Sequence, residues 1–230
     1  MRMPVPVNCG AISLSRYTPA WSSAPGCRDS GAAYVAVEAN RHAAAAVTTT
    51  KAETPFFLGD GTDISFKVDN GELVLTAFEP AGDQWRVAEA GQFTNLALEA
   101  NFRTGTKCAG RDNYGMIVRA PSQTDNIINS AYVFGFNCDG QYRVYRMDDG
   151  QYNGIQNWTS HPGLLAGPNQ RNVMTVIANG EKLQLYANNA LVYEFIDATY
   201  PRGLFGLMIG SGGTQDFQVA VEQLSLWELP

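Results

Sequence analysis

Charge is scarce in this chain, and its positive charge is scattered. Only 17% of the 230 residues are charged, the formal net charge is −6, and lysine and arginine form no cluster. Proteins that bind nucleic acid or anionic membranes carry such clusters, so we expect neither as a partner. No apolar run approaches the roughly 20 residues of a membrane-spanning helix, so we expect no transmembrane segment.

Histidine is almost absent, and no two cysteines have the C-x-x-C spacing of a zinc site. The four cysteines are Cys9, Cys27, Cys108 and Cys138. We predict two disulfides, Cys9–Cys27 and Cys108–Cys138, because this connectivity joins cysteines that are close together in the sequence. Disulfides predict an extracellular or cell-surface location. The alternative is four buried free thiols in a cytosolic protein.

What the chain does have is a series of turn dipeptides at strand-length spacing. They are Asn70-Gly71, Asp139-Gly140, Asp149-Gly150, Asn179-Gly180 and Asn188-Asn189. These residue types tolerate the positive φ angles of a tight hairpin turn, and each dipeptide lies between segments rich in β-branched and aromatic residues. The pattern predicts an all-β fold of antiparallel hairpins.

The spacing predicts about twelve strands, packed as a two-sheet antiparallel sandwich over residues 53–230. The segments NYGMIVRA and AYVFGFNC are apolar at nearly every position, which is typical of strands covered on both faces. Apolar positions change phase near Asn95 and again at Glu222-Gln223, so we expect a β-bulge at each place.

Residues 1–52 differ from the rest, because they are rich in Ala, Ser, Pro and Thr. We interpret them as a short irregular N-terminal arm or subdomain, stapled by Cys9–Cys27. The first ten residues lack the apolar stretch of a signal peptide. We therefore expect export through a leader that has been removed or replaced, or by another route.

The main domain resembles the concanavalin A-like lectin/glucanase superfamily, near its laminin-G-like and 3-keto-disaccharide hydrolase-like jelly rolls. The segments that carry the resemblance are DNYGMIVRA from Asp112, YVFGFNCDGQY from Tyr132, ANGEKLQLY from Ala178, GLFGL from Gly203 and the run Val219–Leu229. It covers about residues 56–230. It implies a jelly roll, and these motifs specify the sandwich rather than a reaction.

Catalytic motifs are missing from this framework. Glucanases of the superfamily carry Glu-x-Asp-x-Glu on one strand, which projects the carboxylates into one cleft, and no such triplet occurs here. The nearest pair, Glu194 and Asp197, falls on opposite faces of a strand. His161 lies in a turn-like SHPG segment. We therefore expect a protein that is not an enzyme, with glycoside cleavage as the less favoured alternative.

The segment 141–161 combines aromatic rings with groups that bond hydroxyls, as sugar sites do. If Val144 faces the core, Arg143 and Tyr145 project outward. We name Arg143, Tyr145, Asp148 and Trp158 as candidate ligand contacts. For Trp158, packing in the core is the favoured alternative.

No cofactor is expected except calcium, which jelly rolls of this kind sometimes hold. Asp112 and Asp139 are the candidate metal ligands, and their alternative role is to cap turns.

Two functions follow as hypotheses. One is a non-catalytic, secreted or cell-surface module that binds carbohydrate. The other is a structural subunit of a surface layer, filament or larger complex, which contacts neighbouring subunits or forms a homo-oligomer through the N-terminal arm.

Overall fold

The computed structural model describes residues 54–80, 82–121 and 128–230, and within these ranges every regular element is a β-strand. The strands are β1 Gly59–Asp60, β2 Ile64–Asp69, β3 Glu72–Ala77, β4 Gln84–Val87, β5 Leu96–Thr104, β6 Asn113–Ala120, β7 Ala131–Asn137, β8 Gln141–Asp148, β9 Gln151–Ser160, β10 Arg171–Asn179, β11 Lys182–Ala187, β12 Ala190–Ile196, β13 Leu204–Gly210 and β14 Phe217–Glu228. The predicted arm, with Cys9 and Cys27, lies outside the described residues. Among those described, no helix has the length and apolar character needed to cross a membrane.

The strands form two antiparallel sheets that pack face to face. One sheet has eight strands, in the order β1-β2-β3-β14-β5-β10-β11-β12, and the other has six, in the order β4-β13-β6-β7-β8-β9. Strands that follow each other along the chain often belong to different sheets, as β4 and β5 do. This arrangement confirms the predicted all-β jelly-roll sandwich.

Tight turns join the hairpins at the predicted dipeptides, but at Asp139-Gly140 and Asn179-Gly180 only the glycine has a positive φ, of 72° and 57°. Asn70 and Gly71 have φ angles of 49° and 84° between β2 and β3, and Asp149 and Gly150 have 48° and 81° between β8 and β9. Asn188, with φ of 49°, begins the turn between β11 and β12. Both central residues of such turns need this left-handed conformation, which Asn, Asp and Gly adopt at low cost.

The core between the sheets is rich in aromatic rings. Fully buried rings in it include Phe66, Phe102, Tyr114, Phe134, Phe136, Phe205 and Phe217. The strands β6 and β7 are buried at every position, as their apolar sequences predict. Their outward-facing apolar side chains, such as Ile117 and Val133, are buried in a second hydrophobic cluster on the other face of the same sheet.

The disulfide between Cys108 and Cys138 is present, with a Cα–Cα distance of 5.4 Å. It ties the loop between β5 and β6 to the end of β7. In the chain-entropy model, closing this loop contributes about 3.7 kcal/mol to stability.

Two details of the predicted strand pattern need correction. The described residues form fourteen strands rather than about twelve, because β1 and β4 are edge strands of only 2 and 4 residues that leave no periodic signal. The phase change near Asn95 is not a bulge. Phe93 pairs with Gly203, and β5 begins only at Leu96, so the chain passes from one pairing to another there. The predicted bulge at Glu222-Gln223 is confirmed by a register shift between Val221 and Gln223.

Candidate functional site

Three adjacent cross-strand rows on the outer face of the six-stranded sheet contain the candidate site, and the strand pairing defines them. A fourth row beside them ends at Tyr152. The polar row contains Asp83, Gly210, Asn113, Asn137, Gln141 and Ser160. The central row contains Trp85, Met208, Gly115, Gly135, Arg143 and Trp158. The apolar row contains Val87, Gly206, Ile117, Val133, Tyr145 and Gly154.

Glycine in the middle of the central row leaves room for the Arg143 side chain. A Cβ atom on Gly135 would lie 3.7 Å from Arg143 Cγ and 3.6 Å from the Trp158 ring. The arginine therefore lies across β7 at Gly135 instead of extending into solvent. A larger residue at this position would compete with the arginine for space.

Two aromatic rings hold the Arg143 guanidinium. Its central carbon lies 4.8 Å from the centroid of the Tyr145 ring and 4.6 Å from that of Trp158. Both contacts are within the range of cation–π attraction. The guanidinium plane is thereby oriented before any ligand arrives.

Asp83 completes the cluster from the segment that precedes β4. Its Oδ2 accepts a hydrogen bond from Arg143 Nη2 and a second one, at 2.7 Å, from the Tyr145 hydroxyl. Arg143 Nη2 also donates to Asn113 Oδ1 at 3.3 Å. Within the described part of the chain, Asp83 Oδ1 receives no hydrogen bond and Arg143 Nη1 donates none. Asp83 Oδ1 lies against Gly210, because a Cβ atom on that glycine would be 2.7 Å from it, and Arg143 Nε is buried and also lacks a partner among these residues.

Tyr145 projects outward, but only 2% of it is exposed. Burial first, and then the negative charge of Asp83, raise the pKa of its phenol. The hydroxyl therefore stays protonated and donates to Asp83 at any physiological pH. Its role in the cluster is to position Asp83 and Arg143, because the buried ring offers little surface to a ligand.

Trp158 lies on the outer face, half-buried against Arg143, so the expectation that it packs in the core is wrong. The reason is an irregularity in β9: its register with β8 shifts between Tyr142 and Val144, which places Trp158 beside Arg143. Tyr152 is 53% exposed and packs on Tyr145, with the ring centroids 4.7 Å apart. Tyr152 and Trp158 are the aromatic surfaces that this end of the face presents.

Asp148 is not part of this cluster, although it is only five residues from Arg143. It shares the core-side alternation of Val144 and Arg146, and Arg146 Nε donates to it at 2.7 Å. The same arginine bonds Asp197 Oδ2 at 2.5 Å, and Tyr200 donates to Asp148 at 2.6 Å. The hydrogen bond from Arg146 is the main reason that the pKa of Asp148 is lowered. The segment 141–161 therefore divides its polar groups between two sides of the sheet.

The two candidate metal ligands lie in different surroundings. Asp112 is fully buried, and its carboxylate accepts hydrogen bonds from the backbone N–H groups of Ala109, Gly212 and Thr214 and from two hydroxyls. Asp139 is exposed in the turn between β7 and β8. The described residues contain no group of three or more His, Cys, Asp or Glu side chains that could hold a metal ion.

Asp83 and Asn113 are the members of the cluster that sequence reasoning did not assign to it. Asp83 lies in AGDQW, a segment that predicts a turn, and it is 60 residues from Arg143. No local pattern marks such a residue, because its partners are set by the order of strands in the sheet.

Comparisons with known proteins agree with this architecture. Residues 25–218 match the family model described as a 3-keto-alpha-glucoside-1,2-lyase-like domain. The match begins inside the segment predicted as an arm, and the boundary near residue 52 stays a prediction. A search of curated protein sequences finds no match to the chain.

Solved structures share the fold at low sequence identity. The carbohydrate-binding module CBM66 from Bacillus subtilis is 15% identical, with a TM-score of 0.57 over 75% of this chain and 96% of that one. The carbohydrate recognition domain of Emp46p is 11% identical, with a TM-score of 0.52 over 76% and 89%. A GH16 protein of a Bacteroides ovatus mixed linkage glucan PUL, in complex with a G4G4G3G product, is 12% identical, with a TM-score of 0.52 over 73% and 86%. These likenesses confirm the predicted jelly-roll fold.

Proposed function

Since the chain belongs to the family of 3-keto-alpha-glucoside-1,2-lyase-like domains, we propose that it binds carbohydrate on the outer face of its six-stranded sheet. The carbohydrate-binding module and the carbohydrate recognition domain that share its fold support this choice of ligand class. The proposed role is that of a non-catalytic, lectin-like module.

One observation carries the proposal: a guanidinium in contact with two aromatic rings, beside a carboxylate whose second oxygen receives no hydrogen bond from the described residues. Asp83 Oδ1 accepts from a sugar hydroxyl, and Arg143 Nη1 donates to the same hydroxyl or to its neighbour. Trp158 and Tyr152 supply the apolar surface against which the C–H face of a pyranose packs. Because Tyr145 and Asn113 already hold the charged pair, little conformational entropy is lost on binding.

The test is a glycan array followed by calorimetry with the glycan that binds best. We expect Trp158→Ala to weaken that binding about tenfold or more, because it removes stacking surface and one support of Arg143. Trp227→Ala is the matched control, since Trp227 is also half-buried but lies on β14 of the other sheet. An array without hits, or equal loss in the two variants, contradicts the proposal.

We also propose that the protein works outside the cytosol. The disulfide between Cys108 and Cys138 supports this location, because such bonds persist in oxidising compartments. Mass spectrometry of protein taken from its source cells, alkylated without reductant, tests it. Recovery of Cys108 and Cys138 as alkylated thiols contradicts this location.

A second candidate is cleavage of a 3-keto-α-glucoside, which the family match and the position of the Asp83 carboxylate beside Arg143 favour. A keto group at C3 makes the hydrogen at C2 acidic. If Asp83 takes that proton, the electron pair of the C–H bond forms an enolate with its charge on the C3 oxygen. Return of that electron pair restores the ketone, forms the C1=C2 double bond and breaks the C1–O bond. The proton held by Asp83 passes to the leaving oxygen, which departs as an alcohol. Arg143 would stabilise the enolate oxygen that develops at C3.

Incubation with a 3-keto-α-glucoside, with mass spectrometry of the products, tests this candidate. Release of the aglycone together with an unsaturated keto sugar supports it, provided that Asp83→Asn lowers the rate about a hundredfold. Absence of both products contradicts cleavage and leaves the binding proposal standing.

Assembly through the N-terminal arm remains a prediction. Size-exclusion chromatography with light scattering tests it: an oligomer that becomes a monomer when residues 1–52 are deleted supports assembly, and a monomeric full-length chain contradicts it.

A further inference from the structure

The three rows of the outer face hold one charged side chain of each sign. These are Asp83 and Arg143, and the other row members are apolar, glycine, or uncharged polar residues. Their side chains are only 15% and 14% exposed. Water therefore screens their attraction less than it would at an open surface.

The contact between them cancels the positive charge that would attract an anion. Asp83 Oδ2 lies against Arg143 Nη2, and the other oxygen of the same carboxylate, Oδ1, lies against Gly210. A ligand that reaches Arg143 Nη1 therefore also approaches a negative oxygen. The protein as a whole carries a formal net charge of −6, which adds no attraction for anions.

We propose that Asp83 restricts the sugar site to uncharged sugars and that its carboxylate excludes sugars bearing a carboxylate of their own. This inference rests on the proposed function. A hydroxyl suits the paired groups because it donates to Asp83 Oδ1 and accepts from Arg143 Nη1 at once. A ligand carboxylate accepts only, so it satisfies the arginine but repels the aspartate. Specificity thus comes from a repulsive group as well as from attractive ones.

Asp83→Asn tests the idea with little disturbance. The amide oxygen still accepts from Tyr145 and Arg143, so the cluster keeps its geometry while the negative charge is lost. Asp69→Asn is the matched control, because Asp69 is exposed on β2 of the other sheet and its loss changes the net charge equally. The double variant Asp83→Asn/Arg143→Gln shows whether any new preference depends on the arginine.

Binding is measured on an array of matched pairs, each a neutral hexose oligosaccharide and the corresponding hexuronate, at one fixed ionic strength. For the wild type we expect binding to a neutral member at least about tenfold tighter than to its hexuronate. Asp83→Asn is expected to shift that ratio toward the hexuronate by about tenfold or more, while Asp69→Asn leaves it unchanged. The double variant is expected to lose the shift.

The possible results distinguish loss of carbohydrate binding from loss of the preference for uncharged sugars. Wild-type protein that binds no member of any pair overturns the proposed function and this inference together. Wild-type protein that binds both members of a pair equally overturns only the inference. An unchanged ratio in Asp83→Asn, or the same shift in Asp69→Asn, also overturns the inference while carbohydrate binding stands.

Discussion

At the scale of single residues, Asp83 and Arg143 depend on each other. Each is largely shielded from water, and the Tyr145 hydroxyl uses the same carboxylate oxygen as the arginine. Removing the side chain of either residue leaves hydrogen-bonding groups of its neighbours without a partner, at a site that water reaches poorly. The cost of such a change is therefore larger than the modest net value of a surface ion pair.

We predict that Asp83→Ala lowers the free energy of unfolding by about 1–3 kcal/mol, because Arg143 and Tyr145 lose their acceptor. Asp69→Ala, at an exposed position on β2, is expected to change it by no more than about 0.5 kcal/mol. Urea unfolding followed by tryptophan fluorescence measures both. Equal losses would show that the Asp83 contacts contribute nothing beyond charge.

At the scale of strands, two paired glycines in the neighbouring strands β6 and β7 have different structural roles. Gly115 and Gly135 are partners in the register. A Cβ on Gly115 would lie 1.9 Å from the backbone oxygen of Phe134, whereas a Cβ on Gly135 would meet atoms only at 3.6 Å or beyond. The first glycine permits the close approach of two strands, and the second leaves space for Arg143.

We therefore expect Gly115→Ala to destabilise the protein by about 3 kcal/mol and Gly135→Ala to change its stability by less than about 1 kcal/mol. Thermal unfolding monitored by circular dichroism compares the two directly. Similar melting temperatures for both variants would contradict the different roles of these positions.

The alternation of β8 has a second consequence at this scale. Arg146, on the core side of the strand, joins Asp148 to Asp197 and bonds Thr199, so it fastens the segment after β12 to the six-stranded sheet. Burial by itself would raise the pKa of Asp197. Hydrogen bonds from Thr199, Tyr132 and Arg146 outweigh that effect and lower the pKa from 3.8 to about 2.

Because the folded pKa of Asp197 lies below its unfolded value, the unfolded chain takes up this proton first as the pH falls. Its stabilising contribution is complete above about pH 4 and is lost between there and about pH 2. We predict that Asp197→Asn lowers the free energy of unfolding at pH 6 by about 1–2 kcal/mol. The difference in free energy of unfolding between the wild type and this variant is expected to be smaller at about pH 2.5. Urea titrations at several pH values measure this. A difference that is independent of pH would contradict it.

At the scale of the whole molecule, the sandwich depends on contacts between segments that are distant in the sequence. Eight strands face six across one aromatic core, and the disulfide joins a loop to the end of β7. The bond restricts the unfolded chain, so its removal should act on global stability rather than on the outer face alone.

We predict that Cys108→Ser/Cys138→Ser lowers the free energy of unfolding by about 2–4 kcal/mol. The measurement is made in a Cys9→Ser/Cys27→Ser background, so that only the described disulfide is compared. The same background protein under reducing conditions should match the variant. A variant as stable as its parent would contradict this contribution.

Some of the architecture could be predicted from local sequence alone. The turn dipeptides and the alternation of apolar residues predicted the hairpins, the sandwich, the outward direction of Arg143 and Tyr145, and the bulge at Glu222-Gln223. Each of these depends on backbone conformations or on a period of two residues, and both are encoded within a few neighbouring positions.

The composition of the cluster was decided only by the tertiary structure. Asp83 meets Arg143 because its segment lies beside β13, Trp158 joins them because β9 shifts its register, and Asp148 is separated because it falls on the other side of β8. Strand order and irregular register result from packing over the whole chain. Residues that are 60 positions apart therefore become neighbours without any local signal of it.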